Sequence, residues 1–242
     1  MGVHKKIDVS FTSHGNRIYF LPFMLLSIIG LKKYFKKIYL TIDFDENITF
    51  LKKSLFTIFE KIGVTIIYGE SFGPHSKYVH YVSNYNKGEP FLLLDDDVFY
   101  SKKRIKELIQ FGFFNDGNTS LRCSKVLINS KGKFKNYKEW PHINQTVQNK
   151  FVFGTNMGGT FVSKNFSLIL KNELYNFIKY ANKADDIWFY YLAYKYNLPY
   201  SSCNEFYIPL IIPFTQKNAL WKTNVEEGIN DEQLNKLFNS IL

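Results

Sequence analysis

Apolar and polar positions follow two different periods along the amino-terminal part of the chain. Short, almost continuous apolar runs predict buried strands, and apolar positions spaced three or four residues apart predict helices. Strands that alternate with helices at this spacing indicate right-handed βαβ units and a largely parallel sheet. The predicted strands are residues 7–12, 37–42, 64–68 and 90–94, and the predicted helices are residues 21–34, 50–62 and 77–85.

The rest of the chain is less regular. Residues 132–151 are polar and aromatic and predict a long loop, and the glycines at 154, 158 and 159 indicate close backbone approach or positive φ angles. No repeat, linker or shift in composition marks a domain boundary. We therefore expect one α/β domain over residues 1–242, with a mostly parallel central sheet flanked by helices. The remaining predicted elements are a strand at 119–128 and helices at 105–111, 166–180, 185–196 and 230–242.

Charge and composition narrow the choice of partner only slightly. Lys and Arg number 31 against 21 Asp and Glu, a net charge of +10, which favours anionic partners. An AT-rich coding sequence would also produce many Lys, Asn, Ile and Phe residues, so the charge alone selects no function. Two cysteines, Cys123 and Cys203, are too few for a disulfide framework. The longest apolar run, residues 20–31, is too short to span a bilayer, and the first residues lack the pattern of a signal peptide, so we expect a soluble, cytoplasmic protein.

Three adjacent carboxylates, Asp95, Asp96 and Asp97, follow the fourth predicted strand. Such carboxylates repel one another unless a cation compensates them, and hard ions such as Mg²⁺ and Mn²⁺ prefer carboxylate oxygens. Asp95 and Asp97, two residues apart on a segment expected to be extended, are predicted to point the same way. The alternative is a solvated acidic turn that caps the helix beginning near Lys102.

A second acidic pair, Asp185 and Asp186, opens an aromatic predicted helix. One of the two could act as a general base at the rim of a pocket, with Trp188 packed behind it. The alternative is ordinary helix capping and a favourable interaction with the helix dipole.

The loop 73–77, Gly-Pro-His-Ser-Lys, would bring Lys77 to the carboxyl edge of the sheet, where ligands of such sheets bind. A lysine there suits a diphosphate, although one lysine in so basic a chain is weak evidence. The histidines share no metal-ligand spacing and are mostly expected in loops or at the surface; they include His14, His75, His80 and His142.

Taken together, these segments resemble bacterial nucleotide-sugar-dependent glycosyltransferases of the GT-A fold, of the kind found in capsule and lipopolysaccharide gene clusters. The resemblance covers roughly residues 7–198, with the motifs in the family's order. The resembling segments are residues 9–13 with Arg17, residues 73–77, residues 94–97, residues 158–162 and residues 185–188.

The resemblance implies a role for each motif. Thr12, Ser13 and Arg17 would bind the nucleoside, and Lys77 would lie near the nucleotide. Asp95 and Asp96 would contact the nucleotide, while Asp97, together with Asp95, would hold Mn²⁺ or Mg²⁺. The base would be Asp186, with Asp185 as the other candidate. Many metal-dependent members add a late histidine to the metal, but none follows His142 here, so Asp97, the diphosphate and water are the expected ligands.

The implied activity is inverting transfer of a sugar from a nucleoside-diphosphate donor, weighted to UDP, to a hydroxyl of a glycan or lipid-linked acceptor in bacterial surface polysaccharide synthesis. Residues 1–100 would form the nucleotide-binding half and residues 101–242 the acceptor-binding half. The positive charge also allows peripheral contact with the anionic inner face of the cytoplasmic membrane.

Two other functions fit part of the sequence. A sugar nucleotidyltransferase also combines βαβ units with carboxylates, but it typically has a glycine-rich basic signature after the first strand, and residues 13–17 contain a single glycine. A single-stranded nucleic-acid-binding protein would interleave aromatic and basic residues, as in residues 133–138. That function leaves both acidic motifs unexplained, so nucleic acid is not an expected partner.

Overall fold

The protein is described by a computed structural model that covers residues 5–115, 117–203, 205–216 and 222–238. Helices and strands alternate through the first part of this range, as the sequence predicts. The helices are α1 (Leu21–Ile29), α2 (Phe50–Lys61), α3 (Ser76–Asn84), α4 (Lys102–Phe114), α5 (Lys164–Asn172), α6 (Phe177–Tyr180), α7 (Asp185–Lys195) and α8 (Ile229–Phe238).

One sheet of eight strands runs through the protein in the order β3-β2-β1-β4-β8-β6-β9-β7. The first four of these are mutually parallel, β8 lies antiparallel between β4 and β6, and β7 is antiparallel at the edge. A small second sheet pairs β5 with β10. The strands are β1 (Ile7–Thr12), β2 (Phe35–Asp43), β3 (Val64–Gly69), β4 (Phe91–Leu93), β5 (Val98–Phe99), β6 (Thr119–Lys125), β7 (Gln148–Asn149), β8 (Val152–Val162), β9 (Tyr200–Ser202) and β10 (Leu210–Ile211).

Two predicted helices are shorter in the structure than in the sequence pattern. The helix predicted at 21–34 ends at Ile29, next to Gly30, because glycine is a poor helix former, and a 3₁₀ turn (Lys32–Tyr34) follows. The helix predicted at 166–180 divides into α5 and α6 around Glu173. Its carboxylate accepts hydrogen bonds from Lys195, the last residue of α7, and from Tyr196, which follows it. The last four residues of the predicted carboxyl-terminal helix, 239–242, lie outside the described residues.

Apolar side chains form two cores, one on each face of the sheet. One core joins the sheet to α3, α5, α7 and α8, and its largest fully buried side chain is that of Trp188. The other joins the sheet to α1, α2 and α4. Because helices cover both faces, the open side of the molecule is the edge at which the parallel strands end, as in other sheets of this kind.

The long segment 132–151 is mainly loop, as predicted, with a 3₁₀ turn at Tyr137–Glu139. Its aromatic residues pack inward: the ring of Phe134 lies 4.9 Å from that of Phe238, and Tyr137 contacts Phe153. These rings therefore do not form the exposed stacking face that a nucleic-acid-binding protein would need.

Two glycines let β8 pass close to the end of β4. Gly158 and Gly159 have φ angles of 87° and 111°, a region that side chains rarely adopt. A Cβ atom at Gly159 would lie 3.1 Å from the side chain of Leu94, the residue before the aspartates. The predicted close approach and positive φ angles are confirmed at these positions.

Within the described residues, every helix is too short or too polar to cross a lipid bilayer.

Candidate active site

A cleft of about 1320 Å³ opens at the carboxyl edge of the parallel strands. Of the predicted site residues, Ser13 alone is absent from the cleft wall; it is buried. The structure therefore brings together segments that lie far apart in the sequence. The predicted residues that line the cleft are Thr12, Arg17, Lys77, Asp95, Asp96, Asp97, Asp185 and Asp186.

The three consecutive aspartates lie in a turn between β4 and β5, not on an extended strand. The expectation that Asp95 and Asp97 point the same way is therefore wrong, because the alternation of an extended chain does not apply there. Asp95 faces Lys77, whereas Asp97 faces Arg17 and Gln216. Asp96 and Asp97 are buried, and the turn does not cap α4, whose N-cap residue is Ser101.

Arg17 is the cation that holds two of the aspartates. Its Nη1 lies 2.9 Å from Asp96 Oδ1, and its Nη2 donates to Asp97 Oδ2. Gln216 Nε2 also donates to Asp97 Oδ2, at 2.8 Å. Among the described residues, both donors to the Asp97 carboxylate bond to Oδ2, and none bonds to Oδ1.

Lys77 connects the two acidic motifs, which are about 90 residues apart in the sequence. Its buried Nζ lies 2.8 Å from Asp95 Oδ1 and 3.0 Å from Asp185 Oδ2. Ser10 Oγ of β1 donates to the Lys77 carbonyl oxygen at 2.6 Å. The side chain is thus held between β4 and α7.

His75 fixes the loop that carries Lys77. It is buried, its Nδ1 lies 2.8 Å from the Tyr78 hydroxyl, and its Nε2 lies 2.7 Å from the Ala181 carbonyl oxygen. The ring stacks on Phe177 at 3.8 Å, and burial lowers the pKa of His75 to about 4, so the imidazole is neutral at pH 7. His75 thus lies in a loop, as expected for most of the histidines, but not at the surface, because both ring nitrogens and one ring face find partners inside the protein.

The second acidic pair is bound to β8 and not to its own helix. Asn156 Nδ2 donates to Asp185 Oδ2 at 2.6 Å, and the Asn156 backbone N–H donates to Asp186 Oδ1 at 2.7 Å. The N-cap residue of α7 is Ala184, which makes no side-chain cap. Capping therefore does not account for the pair. Asp185 is buried against Lys77, while Asp186 is half-buried in the cleft wall.

The cleft holds more negative than positive charge at its centre. Arg17 and Lys77 are the two cations, against the five carboxylates at 95–97, 185 and 186. Burial alone would lower the pKa of Lys77, but the charges of Asp185, Asp95 and Asp186 outweigh it and raise that pKa above its usual value.

Two carboxylates in this negatively charged centre have raised pKa values. Burial and the nearby Asp95 charge raise the pKa of Asp97 to about 6, although Arg17 opposes the shift. Burial and the adjacent Asp185 charge raise the pKa of Asp186 to about 8, although Lys77 opposes it. Each would ionise more readily if a cation bound in the cleft.

The donor chemistry of the aspartates fits a hard divalent cation, which prefers carboxylate oxygens. Within the described chain, no group of three or more Asp, Glu, His or Cys residues is arranged to hold a metal by itself. The protein would therefore supply one or two oxygen ligands, and the remainder would come from a bound diphosphate and water, as the sequence predicts.

Residues near the end of β1 form the end of the cleft that lies away from Asp185 and Asp186. Thr12 Oγ1 donates to the Thr41 carbonyl oxygen at 3.0 Å, and the Gly15 N–H donates to Glu46 Oε2 at 2.7 Å. Lys52 is the buried partner of Glu46. These bonds order the loop between β1 and α1, where the nucleoside is predicted to bind.

Comparisons with known proteins bear on the fold. No family model and no curated protein matches the sequence. One similar solved structure is 4-diphosphocytidyl-2C-methyl-D-erythritol synthase from Anaerococcus prevotii, with a TM-score of 0.59 and 14% identity over 88% of this chain and 95% of that chain. Another is GalNAc-T7 with UDP, GalNAc and Mn²⁺, with a TM-score of 0.57 and 14% identity over 98% of this chain and 51% of that chain.

The likeness shows a shared fold. It confirms the predicted α/β class with a mostly parallel central sheet flanked by helices. This chain spans about half the length of the GalNAc-T7 chain. The resemblance to capsule and lipopolysaccharide transferases remains a prediction, since neither structure tests it.

Three residues of the cleft were not predicted from the sequence. Asn156 holds both members of the acidic pair, Gln216 binds Asp97, and Arg122 lines the far wall. For Asn156 the nearby glycines were a signal that β8 approaches another segment closely. For Gln216 and Arg122 the sequence carries no comparable signal.

Proposed function

We propose that the protein is a metal-dependent glycosyltransferase that moves a sugar, such as a hexose, from a nucleoside-diphosphate donor to an acceptor hydroxyl. The observation that carries the proposal is the meeting of both acidic motifs around Lys77. Asp97, whose Oδ1 accepts from none of the described residues, and Asp186 line the same cleft. A donor diphosphate alone would be repelled by the net negative charge of this centre, whereas a diphosphate with a divalent cation compensates it.

Asp97 is the principal proposed metal ligand, with Asp95 beside it. A bound Mg²⁺ or Mn²⁺ would act as a Lewis acid on the departing diphosphate. Arg17 orients Asp97 through Oδ2, and Gln216 donates to the same oxygen, so Oδ1 is the oxygen that would hold the cation. Thr12 and the ordered loop after β1 would bind the nucleoside, which is weighted to uridine by the resemblance.

Asp186 is the proposed general base. Burial and the adjacent Asp185 charge raise its pKa to about 8, and a base poised near neutral pH accepts a proton efficiently. Asp185 is instead committed to Lys77 and Asn156 and positions its neighbour. A hydroxyl deprotonated at Asp186 would attack the sugar from the side opposite the diphosphate, which gives inversion at the anomeric carbon.

The strand order supports the proposal that one part of the chain binds the nucleotide and the other binds the acceptor. Residues 1–100 supply β1 to β4 and the nucleotide end of the cleft, and residues 101–242 supply β6, β8 and the opposite wall. The acceptor would be a glycan or a lipid-linked glycan of a bacterial surface polysaccharide, as the resemblance implies.

Nucleotide binding is the first test. With Mn²⁺ and a UDP-sugar at about 100 times its Kd, binding should stabilise the fold by about 2.7 kcal/mol and raise Tm by roughly 5–10 °C. Asp97→Asn should lose the part of this shift that depends on Mn²⁺. Glu89→Gln, an exposed position at the opposite end of β4, is the matched control and should keep it. Absence of a shift with UDP-, GDP- and CMP-sugars, or transfer by Asp97→Asn without added metal at the wild-type rate, would contradict the proposal.

A sugar nucleotidyltransferase is the second candidate, because the fold is similar to a diphosphocytidyl-methylerythritol synthase over 95% of that chain. Such an enzyme releases pyrophosphate from a nucleoside triphosphate, whereas a transferase releases a nucleoside diphosphate. The Arg17 and Lys77 cations are both neutralised by aspartates, which leaves little positive charge for a triphosphate. Product analysis with both kinds of substrate separates the two candidates.

An apolar surface beside the cleft supports the proposed membrane contact. Phe23 of α1 lies 6.3 Å from Phe99 of β5, which pairs with the exposed Leu210 of β10. Phe214 is 87% exposed and has a φ of 68°. It lies two residues before Gln216, whose side chain donates a hydrogen bond to Asp97.

Basic residues border this apolar surface. The Lys102 ammonium lies against Gly30 at the end of α1, and Lys32 and Lys33 are exposed just beyond it. Arg104 is paired with acidic neighbours and contributes less. Apolar side chains next to unpaired lysines are the combination that anionic lipid surfaces attract.

Vesicle binding tests this surface. The protein should co-sediment with vesicles that contain phosphatidylglycerol and much less with pure phosphatidylcholine, and added salt should weaken binding. Phe214→Ser with Leu26→Ser should reduce the bound fraction several-fold, because Leu26, on the same helix as Phe23, is a further strongly exposed apolar residue. Phe114→Ser, at the far end of α4 and equally exposed, is the control. Equal binding by all three proteins would exclude this surface.

A further inference from the structure

Arg122 occupies the wall of the cleft opposite the nucleotide end. It lies on β6, whose alternation places Arg122 and Ser124 on the same face, and both line the cleft. On the adjacent strand β8, Arg122 pairs with Thr155. The next residue, Asn156, donates its backbone N–H to Asp186. Arg122 therefore lines the same cleft as Asp186, where the acceptor hydroxyl must meet its proposed base.

The charge of Arg122 is not compensated within the described residues. Its Nη1 lies 2.8 Å from the Met157 thioether sulfur, a weak acceptor, and the guanidinium lies 5.4 Å from the centre of the Phe206 ring. Arg17 and Lys77, the other two partly or fully buried cations of the cleft, are each paired with two carboxylates. A half-buried guanidinium with no carboxylate partner is an open binding position for an oxyanion.

Further groups around Arg122 complete a binding surface. His142 stacks on the same Phe206 ring at 3.9 Å, and its Nδ1 lies 3.2 Å from Ser124 Oγ. Lys138 and Lys183 are exposed on the rim. We define Arg122, Ser124, His142 and Phe206 as the Arg122 cluster. The cluster offers the planar guanidinium of Arg122, the hydroxyl of Ser124 and the imidazole of His142 as hydrogen-bonding groups for a ligand.

We propose that the Arg122 cluster binds a carboxylate or phosphate group carried by the acceptor, so that the acceptor is an acidic or phosphorylated sugar. This inference rests on the proposed transferase function. β6 is separated from β4, where the donor diphosphate is proposed to bind, by β8, which places the two strands about 10 Å apart. The position beyond β8, the strand whose Asn156 binds Asp186, therefore assigns the oxyanion to the acceptor and not to the donor diphosphate.

Calorimetric titration with three small probes tests the proposal. The probes are methyl β-D-glucuronide, glucose 1-phosphate and the neutral methyl β-D-glucoside, each added with and without saturating UDP and Mn²⁺. At least one acidic probe should bind about tenfold more tightly than the neutral one, the typical gain of a charge-assisted bidentate contact. Arg122→Gln should bring this ratio close to one. Lys125→Gln, an exposed lysine on the other face of β6, should leave it unchanged.

The outcomes separate the acceptor inference from the transferase proposal. If UDP binds but all three probes bind equally, the acceptor inference fails and the transferase proposal stands. If Arg122→Gln weakens UDP binding tenfold instead, the oxyanion belongs to the donor and the inference is overturned. If UDP does not bind the wild-type protein, the transferase proposal fails. A preference for acidic probes that depends on Arg122 would then show that the protein has an oxyanion site although it is not a transferase of this kind.

Discussion

Asp186→Asn is expected to lower turnover by about 10²–10⁴-fold, the usual contribution of a general base. The substitution keeps the size of the side chain and an oxygen that can accept the Asn156 N–H, so donor binding should change little. In the wild-type protein, kcat/KM should rise with pH through the region near 8, because Asp186 must lose its proton to act and its pKa is raised to about 8. The mutant should show no such limb.

The same substitution should raise stability at neutral and alkaline pH. Burial and Asp185 raise the pKa of Asp186 above its value in the unfolded chain. The folded state therefore holds a proton that the unfolded state has lost, and stability from this group is full below pH 3.8 and declines as pH rises towards 8. Asparagine has no such pH dependence. The free energy of unfolding of Asp186→Asn should therefore exceed that of the wild type by a margin that grows over this pH interval to on the order of 1–3 kcal/mol.

The matched variant is Asp185→Asn, whose stability effect should have the opposite sign. Asp185 pairs with Lys77 at 3.0 Å, and its loss leaves that buried ammonium with one carboxylate partner fewer. Denaturant unfolding at pH 5 and pH 8, with turnover measured at saturating donor, distinguishes the two. Unchanged turnover in both variants would remove the inverting mechanism described above.

The gathering of the motifs could be predicted from the sequence because parallel strands end at one edge. Thr12 ends β1, Asp97 lies in the turn after β4, and Lys77 lies at the start of the helix that follows β3, so their meeting depends only on the βαβ pattern. Asp185 joins them from outside this pattern, and here the resemblance and not the periodicity supplied the expectation.

The partners of these residues could not be predicted, because they depend on strand order. β8 enters the sheet between β4 and β6 in the antiparallel sense, and this insertion puts Asn156 against the acidic pair. Gln216 reaches Asp97 from 119 residues further along the chain. His75 is a similar case: its burial depends on Ala181 and Phe177, which a local pattern around residue 75 does not contain.

Lys77→Met is expected to destabilise the protein by about 3–5 kcal/mol, the cost of removing one partner from a buried charge pair. Lys77 is 8% exposed, and its ammonium lies within 3.0 Å of carboxylates from both acidic motifs. Without it, Asp95 and Asp185 face each other and the neighbouring aspartates with no cation between them. Methionine fills a similar volume, so the loss measured by urea unfolding reports the charge and not a cavity.

Adding Asp185→Asn to Lys77→Met should recover part of this loss, because one of the two unpaired carboxylates disappears. The four proteins form a double-mutant cycle, and residues in direct contact should show a coupling energy of about 0.5–3 kcal/mol. Lys53→Met, an exposed lysine of α2, is the control and should stay within about 0.5 kcal/mol of wild type. If Lys77→Met also costs less than about 1 kcal/mol, the aspartates do not depend on Lys77, and the two motifs are held together by Asn156 and the sheet instead.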